Sequence, residues 1–250
     1  MEGQSNRATA HSVPPSLDPS ISPSLQHALE REKLEALAEF AAGAGHEMNN
    51  PLAVIAGRAQ LLLRDETDPQ RQRDLAVIHA QALRVVEMIS DLMLFARPPA
   101  PQRKVCDVAA IINRVADEVA PRAHDRQVRL VRPTIDDSLR ANIDEVQIAV
   151  ALRAVCDNAL HALGRGGVLA MDARQFEDRV EIAISDDGPG FSPEARRHAF
   201  DPFYSGRSAG RGLGTGLSKC WRIATNHGGS VAIDSAPGKG TTVTVVIPAA

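Results

Sequence analysis

"GAGHEMNNPLAVIAG", residues Gly43–Gly57, sets a histidine, a glutamate and two asparagines directly ahead of Pro51 within an otherwise apolar pattern. On both sides the apolar residues recur at helical spacing: Leu34, Leu37, Ala41, Ala44 and Met48, then Leu52, Ile55, Ala59 and Leu62, in steps of 3 and 4. The repeat predicts a long amphipathic helix with an apolar seam along one face. Two successive steps of four around Met48 shift that seam and locally unwind a supercoil. The shift coincides with Pro51, which is expected to bend the helix there. With Ala41 and Ala44 at a and d positions, His46 falls at f, farthest from the seam and facing water. An exposed neutral imidazole is a competent nucleophile. Glu47 beside it can accept the proton of one ring nitrogen and direct the other outward, and Asn50 lies one turn away on the same face.

"RDETDPQ", residues 64–70, supplies turn chemistry, and a second seam follows at Leu75, Ile78, Ala82, Val85, Ile89, Leu92 and Ala96. Two such helices make a hairpin. Each carries a stripe wider than one partner helix covers, so pairing with a second copy into a four-helix bundle, a homodimer, is expected. Upstream, residues 1–24 are rich in Ser and Pro and poor in large apolar residues, which predicts a disordered leader. Downstream, "ARPPAPQRK" ends the second helix, because prolines remove donors and disfavour helix in the residue before them. The expected organisation is a leader over 1–24, a helical hairpin over 25–97, a linker over 98–104 and a second domain over 105–250.

In that second domain the patterning predicts helix 107–123, strands 127–132 and 139–143, and helix 144–163. Strands 167–175 and 179–185, a glycine-rich loop, helix 214–227 and strands 229–235 and 240–247 follow. Such an order is α+β, with helices on one face of a mixed sheet.

Composition narrows the function classes. The chain of 250 residues is 44% hydrophobic and 24% charged, as a globular protein is, and its net charge of -3 offers no basic footprint for nucleic acid. Apolar runs such as "VTVVIPAA" fall short of the roughly 18–20 residues of a membrane-spanning helix, and the first residues lack the pattern of a secretory signal. A cytoplasmic location and no membrane span are the expectation. Cys106, Cys156 and Cys220 stand far apart without a CxxC pair and read as reduced packing residues.

Three clusters in the second domain carry chemistry: "RAVCDNALHAL" (153–163), "SDDGPGF" (185–191) and "RGLGTGL" (211–217). The amide oxygen of Asn158 suits magnesium, a hard cation that takes few protein oxygens beside phosphate and water, with Asp157 as rival ligand. Asp186 at a strand end, followed by Gly188 and Gly190, suits a carboxylate that accepts from an exocyclic amine in a pocket whose floor comes close. "GLGTG" at a helix start offers backbone N–H groups and a favourable dipole to phosphates. The remaining histidines, His79, His161, His198 and His227 among them, lack a carboxylate-plus-amide neighbourhood like that of His46 and are assigned no chemistry; a capping role suits His227.

Taken together, these motifs resemble the catalytic core of the bacterial two-component sensor histidine kinases over about residues 30–250. "HEMNNPL" is similar to that family's phosphoacceptor box, "DNALHAL" to its asparagine box, "SDDGPGF" and "GLGTGL" to its glycine boxes, and "FDPFYS" to the phenylalanine box of its ATP lid. The resemblance implies a dimeric four-helix bundle followed by an α/β-sandwich ATP-binding domain of the Bergerat or GHKL type. It implies ATP and Mg2+ as cofactors, with His46 autophosphorylated, Glu47 as general base and Asn50 positioning water for a phosphatase reaction. Asn158 would hold magnesium, Asp186 would read the adenine amine, and Gly188 and Gly190 would shape the adenine pocket. Gly212, Gly214 and Gly216 would approach the phosphates, and Phe200 and Phe203 would anchor a lid over about 188–212. The implied partner is a response regulator receiver domain, with regulator choice expected on exposed hairpin residues around Gly57–Leu63 and the facing part of the second helix; control is expected either from a separate sensor protein or from a longer chain of which this one is part.

Departures from the family pattern are specific. Ala154 stands where an asparagine commonly precedes the magnesium ligand by four residues, and Gly206 and Arg207 replace the usual Thr-Lys of the lid, making Arg207 the candidate phosphate-facing cation. Lys219 lies where the helix is usually apolar. Two rival functions stand beside the kinase: a GHKL ATPase, whose water-activating glutamate would fall at Ala154, and a pseudokinase or dimeric adaptor that binds a regulator without phosphorylation.

Overall fold

The computed structural model describes residues 43, 45, 47–96, 98–132, 139–201, 204 and 214–250. The described chain divides into two units, one ending at Pro99 and one comprising Ala100–Ala250.

In the first unit, α1 covers residues 47–65, with Gly43 and Gly45 also helical, and α2 spans Pro69–Ala96. Between them Asp68 accepts from the N–H groups of Gln70 (2.8 Å) and Arg71 (3.0 Å), so it caps α2, and Pro69 takes the first helical position, where a missing N–H costs nothing. α1 runs unbroken through Pro51. Among the described residues of the hairpin, the buried apolar side chains are small apart from one isoleucine, namely Ala56, Ala59, Ala82 and Ile89. Gly45 permits the closest approach: a Cβ there would come within 2.7 Å of the Met93 sulfur and 3.4 Å of Ile89. Each apolar stripe, wider than one partner helix covers, is thus divided. Ala59, Ala82 and Ile89 pack inside the hairpin, whereas Met48, Ile55, Leu62 and Ile78 are left uncovered, because an alanine-lined contact brings the two helices too close to enclose a larger side chain on their flanks.

The second unit pairs β1 (Lys104–Asp107) antiparallel with β3 (Arg140–Ile143), and these precede a five-stranded sheet of order β2-β4-β5-β7-β6. Its strands are β2 (Arg129–Val131), β4 (Val168–Phe176), β5 (Arg179–Asp186), β6 (Ser230–Ser235) and β7 (Thr241–Pro248). β2 and β4 are parallel and the remaining pairs antiparallel, so the sheet is mixed as expected. A parallel pair needs a crossover, and α4 (Glu145–Leu163) supplies it.

Helices α3 (Val108–Asp125), α4 and α6 (Gly216–Asn226) cover one face of the sheet. α4 buries Ile148, Ala151, Leu152, Val155, Cys156, Ala159 and Leu160, an i, i+3, i+4 stripe, against Val180, Ile182 and Ile184 of β5 and its neighbours. Although α4 alone among the described helices is long and apolar enough to cross a membrane by length and composition, that apolar stripe belongs to the core. Two elements went unpredicted: β1, which begins inside the expected linker, and the short helix α5 (Pro193–Arg197), capped by Ser192. Both are too short for a period to show.

Asp144 caps α4. Partial burial by itself would raise its carboxyl, but the N–H groups of Gln102, Gln147 and Val146 outweigh that and hold it below the ordinary carboxylate value. Behind it His227, fully buried at the end of α6, is held below the usual imidazole value chiefly by burial. Its neutral Nε2 accepts the Asp144 N–H at 3.1 Å while Nδ1–H donates to the Ile223 carbonyl at 2.8 Å, a capping role that ties α6 to α4.

Leu152 is fully buried, so Leu152→Ala should lower the stability of the second unit by about 2–5 kcal/mol, read as an earlier urea midpoint at unchanged slope. The three cysteines are free and buried, and burial pushes the thiols of Cys156 and Cys220 up to about 12. Both should therefore resist a thiol reagent at neutral pH in the folded protein and react at once in denaturant.

Candidate active site

Three consecutive turns on one flank of α4 organise the site. Ala154, Asn158 and Ala162 follow one another at intervals of four, so they share a face. At the first, Ala154 lies beneath the start of α6, where a Cβ on Gly216 would sit 3.5 Å from the Ala154 carbonyl oxygen. At the last, Gly188 approaches Ala162 and Leu163, with its own Cβ position 3.7 Å from the Ala162 carbonyl carbon. Asn158 is thus midway between the α6 N-terminus and the loop after β5.

Asp186 ends β5, the middle strand, and is paired with Leu169 on one side and Thr241 on the other. Its Oδ1 accepts the Gly188 N–H at 2.9 Å, which fixes the carboxylate over the loop. The adjacent Asp187 has a different role: its Oδ1 accepts the Val168 N–H at 2.7 Å and packs against Gly167, where it ties the loop to β4. Gly190 has a φ of +68°, and a Cβ there would strike the Ala236 carbonyl, so only glycine fits.

The helix N-termini differ. Asp107, Asp144 and Ser192 each accept backbone N–H groups at the starts of α3, α4 and α5, whereas Thr215 makes no side-chain capping bond at the start of α6. A first turn whose N–H groups are not taken by the N-cap side chain offers them to an anion together with the positive end of the helix dipole. Gly214 and Gly216 flank Thr215 there.

Asp157, the rival oxygen donor, faces α3. Asp157 is ion-paired with Arg122, and Arg153 one turn earlier with Glu118, so this side of α4 is taken up by α3. Among the described residues no group of three or more His, Cys, Asp or Glu side chains gathers as a metal cage. Asn158 lies on the flank of α4 that it shares with Ala154 and Ala162, and a lone amide oxygen suits the chemistry of magnesium, which takes further ligands from phosphate and water.

In the lid region Phe200 is half-buried, and His198 Nδ1 is 2.7 Å from Asp201 Oδ2 with its ring 5.0 Å from that of Tyr204. Phe203, Arg207 and Gly212 lie outside the described residues, as does His46 in the hairpin unit. There Glu47 and Asn50 are exposed, while Asn49 is half-buried with a shielded side-chain oxygen that has no hydrogen-bond partner among the described residues. Sequence reasoning missed the contribution of Asp187, Ser235 and Gly240; only the turn signal "PGKG" marked the last of these in the sequence.

Known proteins match these two units in order. A model described as the His Kinase A (phospho-acceptor) domain matches residues 36–101, and one described as the histidine kinase-, DNA gyrase B- and HSP90-like ATPase matches residues 143–250. The sensor histidine kinase ZraS of Klebsiella oxytoca is 33% identical over 220 residues, 87% of this chain and 47% of that protein. The chain thus spans about half the length of the curated relatives it matches. Full-length ShkA in complex with AMPPNP superposes at a TM-score of 0.74 with 24% identity, over 85% of this chain and 46% of that one. ThkA in complex with response regulator protein TrrA superposes at 0.64 with 19% identity, over 92% and 68%. At those identities the two structures speak for the fold alone. With a phospho-acceptor domain followed by an ATPase domain of this fold, the chain belongs to the two-component histidine kinases and carries their catalytic core.

Proposed function

We propose that the chain is an ATP-dependent histidine kinase that phosphorylates itself on His46 and passes the phosphoryl group to an aspartate of a response regulator. The observation that carries this is the placement of Asn158 on α4 between an uncapped α6 N-terminus and the Asp186 loop. In that cleft Asp186 accepts the adenine amine, Gly188 and Gly190 let the base approach the backbone, and the first N–H groups of α6 near Gly214 and Gly216 receive the phosphates. Asn158 would hold magnesium, which would supply positive charge to offset that of the phosphate oxygens. Arg207 and Gly212 complete the phosphate contacts.

In the transfer step an imidazole nitrogen of His46 attacks the γ-phosphorus, the bond to the β-phosphate oxygen breaks, and ADP leaves. Glu47 takes the ring proton. The regulator aspartate then attacks the phosphorus and the phosphorus–nitrogen bond breaks. In the reverse sense, Asn50 positions a water that removes phosphate from the regulator. Because receiver domains and ATP are met in the cytoplasm, that is the compartment we assign. The ATPase reading lacks its base, since a methyl group stands at Ala154 beneath Gly216.

Incubation with magnesium and γ-labelled ATP should give acid-labile, alkali-stable label on the chain. His46→Ala should remove it entirely, and Asn158→Ala should slow its appearance by about a hundredfold or more. Phosphate release by an unlabelled chain would instead favour an ATPase, and no turnover at all an adaptor.

The partner in the bundle is a second copy. Met48, Ile55 and Leu62, at intervals of seven, and Val54 and Leu61, also seven apart, remain 45–62% exposed on α1, with Val77, Ile78 and Leu83 uncovered on α2. A heptad stripe of this kind asks for a parallel surface of the same composition. Replacing Ile55 and Leu62 together by Asp should weaken dimerisation by at least about a hundredfold in equilibrium sedimentation, since each buried aliphatic side chain contributes roughly 1.5–3 kcal/mol.

A further inference from the structure

Hydrogen bonds and two close glycine approaches bind the segment Ser185–Phe191 to the turn that joins β6 to β7. The Ser235 hydroxyl accepts the Phe191 N–H at 2.8 Å, donates to the Gly240 carbonyl at 2.8 Å, and lies 3.1 Å from Thr241 Oγ1. Gly238 N–H donates to the Pro189 carbonyl at 2.8 Å. Ser185 and Thr242 hydroxyls meet at 2.8 Å across the strand pair. Gly240, with φ +75°, lies so close that a Cβ would strike the Asp186 carbonyl oxygen and come within 3.0 Å of the Asp187 α-carbon. Gly190 stands against the Ala236 carbonyl in the same way.

A carboxylate at the end of a strand points where its backbone sends it. The backbone of Asp186 has β7 on one side and this turn across its carbonyl. Ser235 bridges the two bodies with one side chain: its acceptor holds the loop at Phe191 and its donor holds the turn at Gly240. Nothing in the family's motifs as carried by this chain includes it. We infer that Ser235 is a positioning residue for nucleotide recognition, acting through Gly240 to set Asp186 at the depth where it meets the purine amine. This rests on the assignment of Asp186 as the adenine-reading carboxylate.

The consequence is selective. Loss of the Ser235 hydroxyl frees the loop but leaves Asn158 and the α6 N-terminus where they are, so recognition of the base should suffer and recognition of the phosphates should not. The test is calorimetric binding of magnesium-ADP and magnesium-IDP to the full chain, since inosine lacks the exocyclic amine. Wild type should prefer ADP. Ser235→Ala should reduce that preference about tenfold while IDP affinity stays within about twofold, and Ser235→Thr, which keeps the hydroxyl, should restore it. Equal loss of both nucleotides, or an unchanged preference in Ser235→Ala, would overturn the proposal. A wild type with no preference for ADP would instead remove the role given to Asp186, and is seen before any variant is made. Should Ser235→Ala fail to fold, the wild type still decides: by reciprocity ADP must slow amide exchange at Phe191 and Gly238 more than IDP does, and equal rates with both nucleotides would refute the coupling.

Discussion

Where α6 begins over α4, the Gly216 and Ala154 backbones leave room for little more than a methyl group, and that closeness sets the rest of the second unit. It brings an uncapped helix N-terminus next to a helix whose opposite face is committed to the core. Because α4 is locked by its stripe from Ile148 to Leu160, the flank bearing Ala154, Asn158 and Ala162 has one orientation only. Asp186, at the end of the middle strand, is placed from the other direction by β4 and β7. A rigid sheet and a rigid helix thus hold the polar groups, and the loops between them need only glycine to come close. Recognition groups held this way lose little conformational entropy when a ligand arrives.

The hairpin unit solves a different problem. Its inner contact is lined by Gly45, Ala56, Ala59 and Ala82, which draws the helices together but encloses little apolar area, while larger side chains at Met48, Val54, Ile55, Leu61 and Leu62 face outward. A monomer with small residues inside and large ones outside has its core inverted relative to an ordinary domain. The dimer we propose would complete it, and the polar residues Glu47 and Asn50 are exposed on the helix that carries this stripe.

Much of this was legible in the sequence where a period was long enough to count. The 3.6-residue repeats of α2, α3 and α4 and the alternation of β5 and β7 located those elements within a few residues. β1 and α5, of four and five residues, carry no readable period and went unseen. Among neighbouring residues of like chemistry, the sequence does not show the bonds each one makes. Asp186 and Asp187 are both carboxylates, and only the Val168 N–H bond shows that the second is structural. Asp157 and Asn158 are both oxygen donors, and the Arg122 ion pair of the first is visible only in the fold.

What the amino-acid sequence determined by itself was composition along the chain: which segments bury a face, where the chain turns, and which polar residue types stand at motif spacing, all properties of neighbours within one or two helical turns. Tertiary structure decided which of those residues meet. The stripes of α1 and α2 were legible as wider than one partner helix covers, but only packing decides which of their residues are covered, because burial depends on the size of the residue opposite. Ser235 lies 44 residues beyond Phe191 and Gly240 lies 54 beyond Asp186, and neither carries a chemical signature of its own. Their role arises only where antiparallel pairing of β5 with β7 folds the chain back on itself, and no local pattern encodes a contact of that separation.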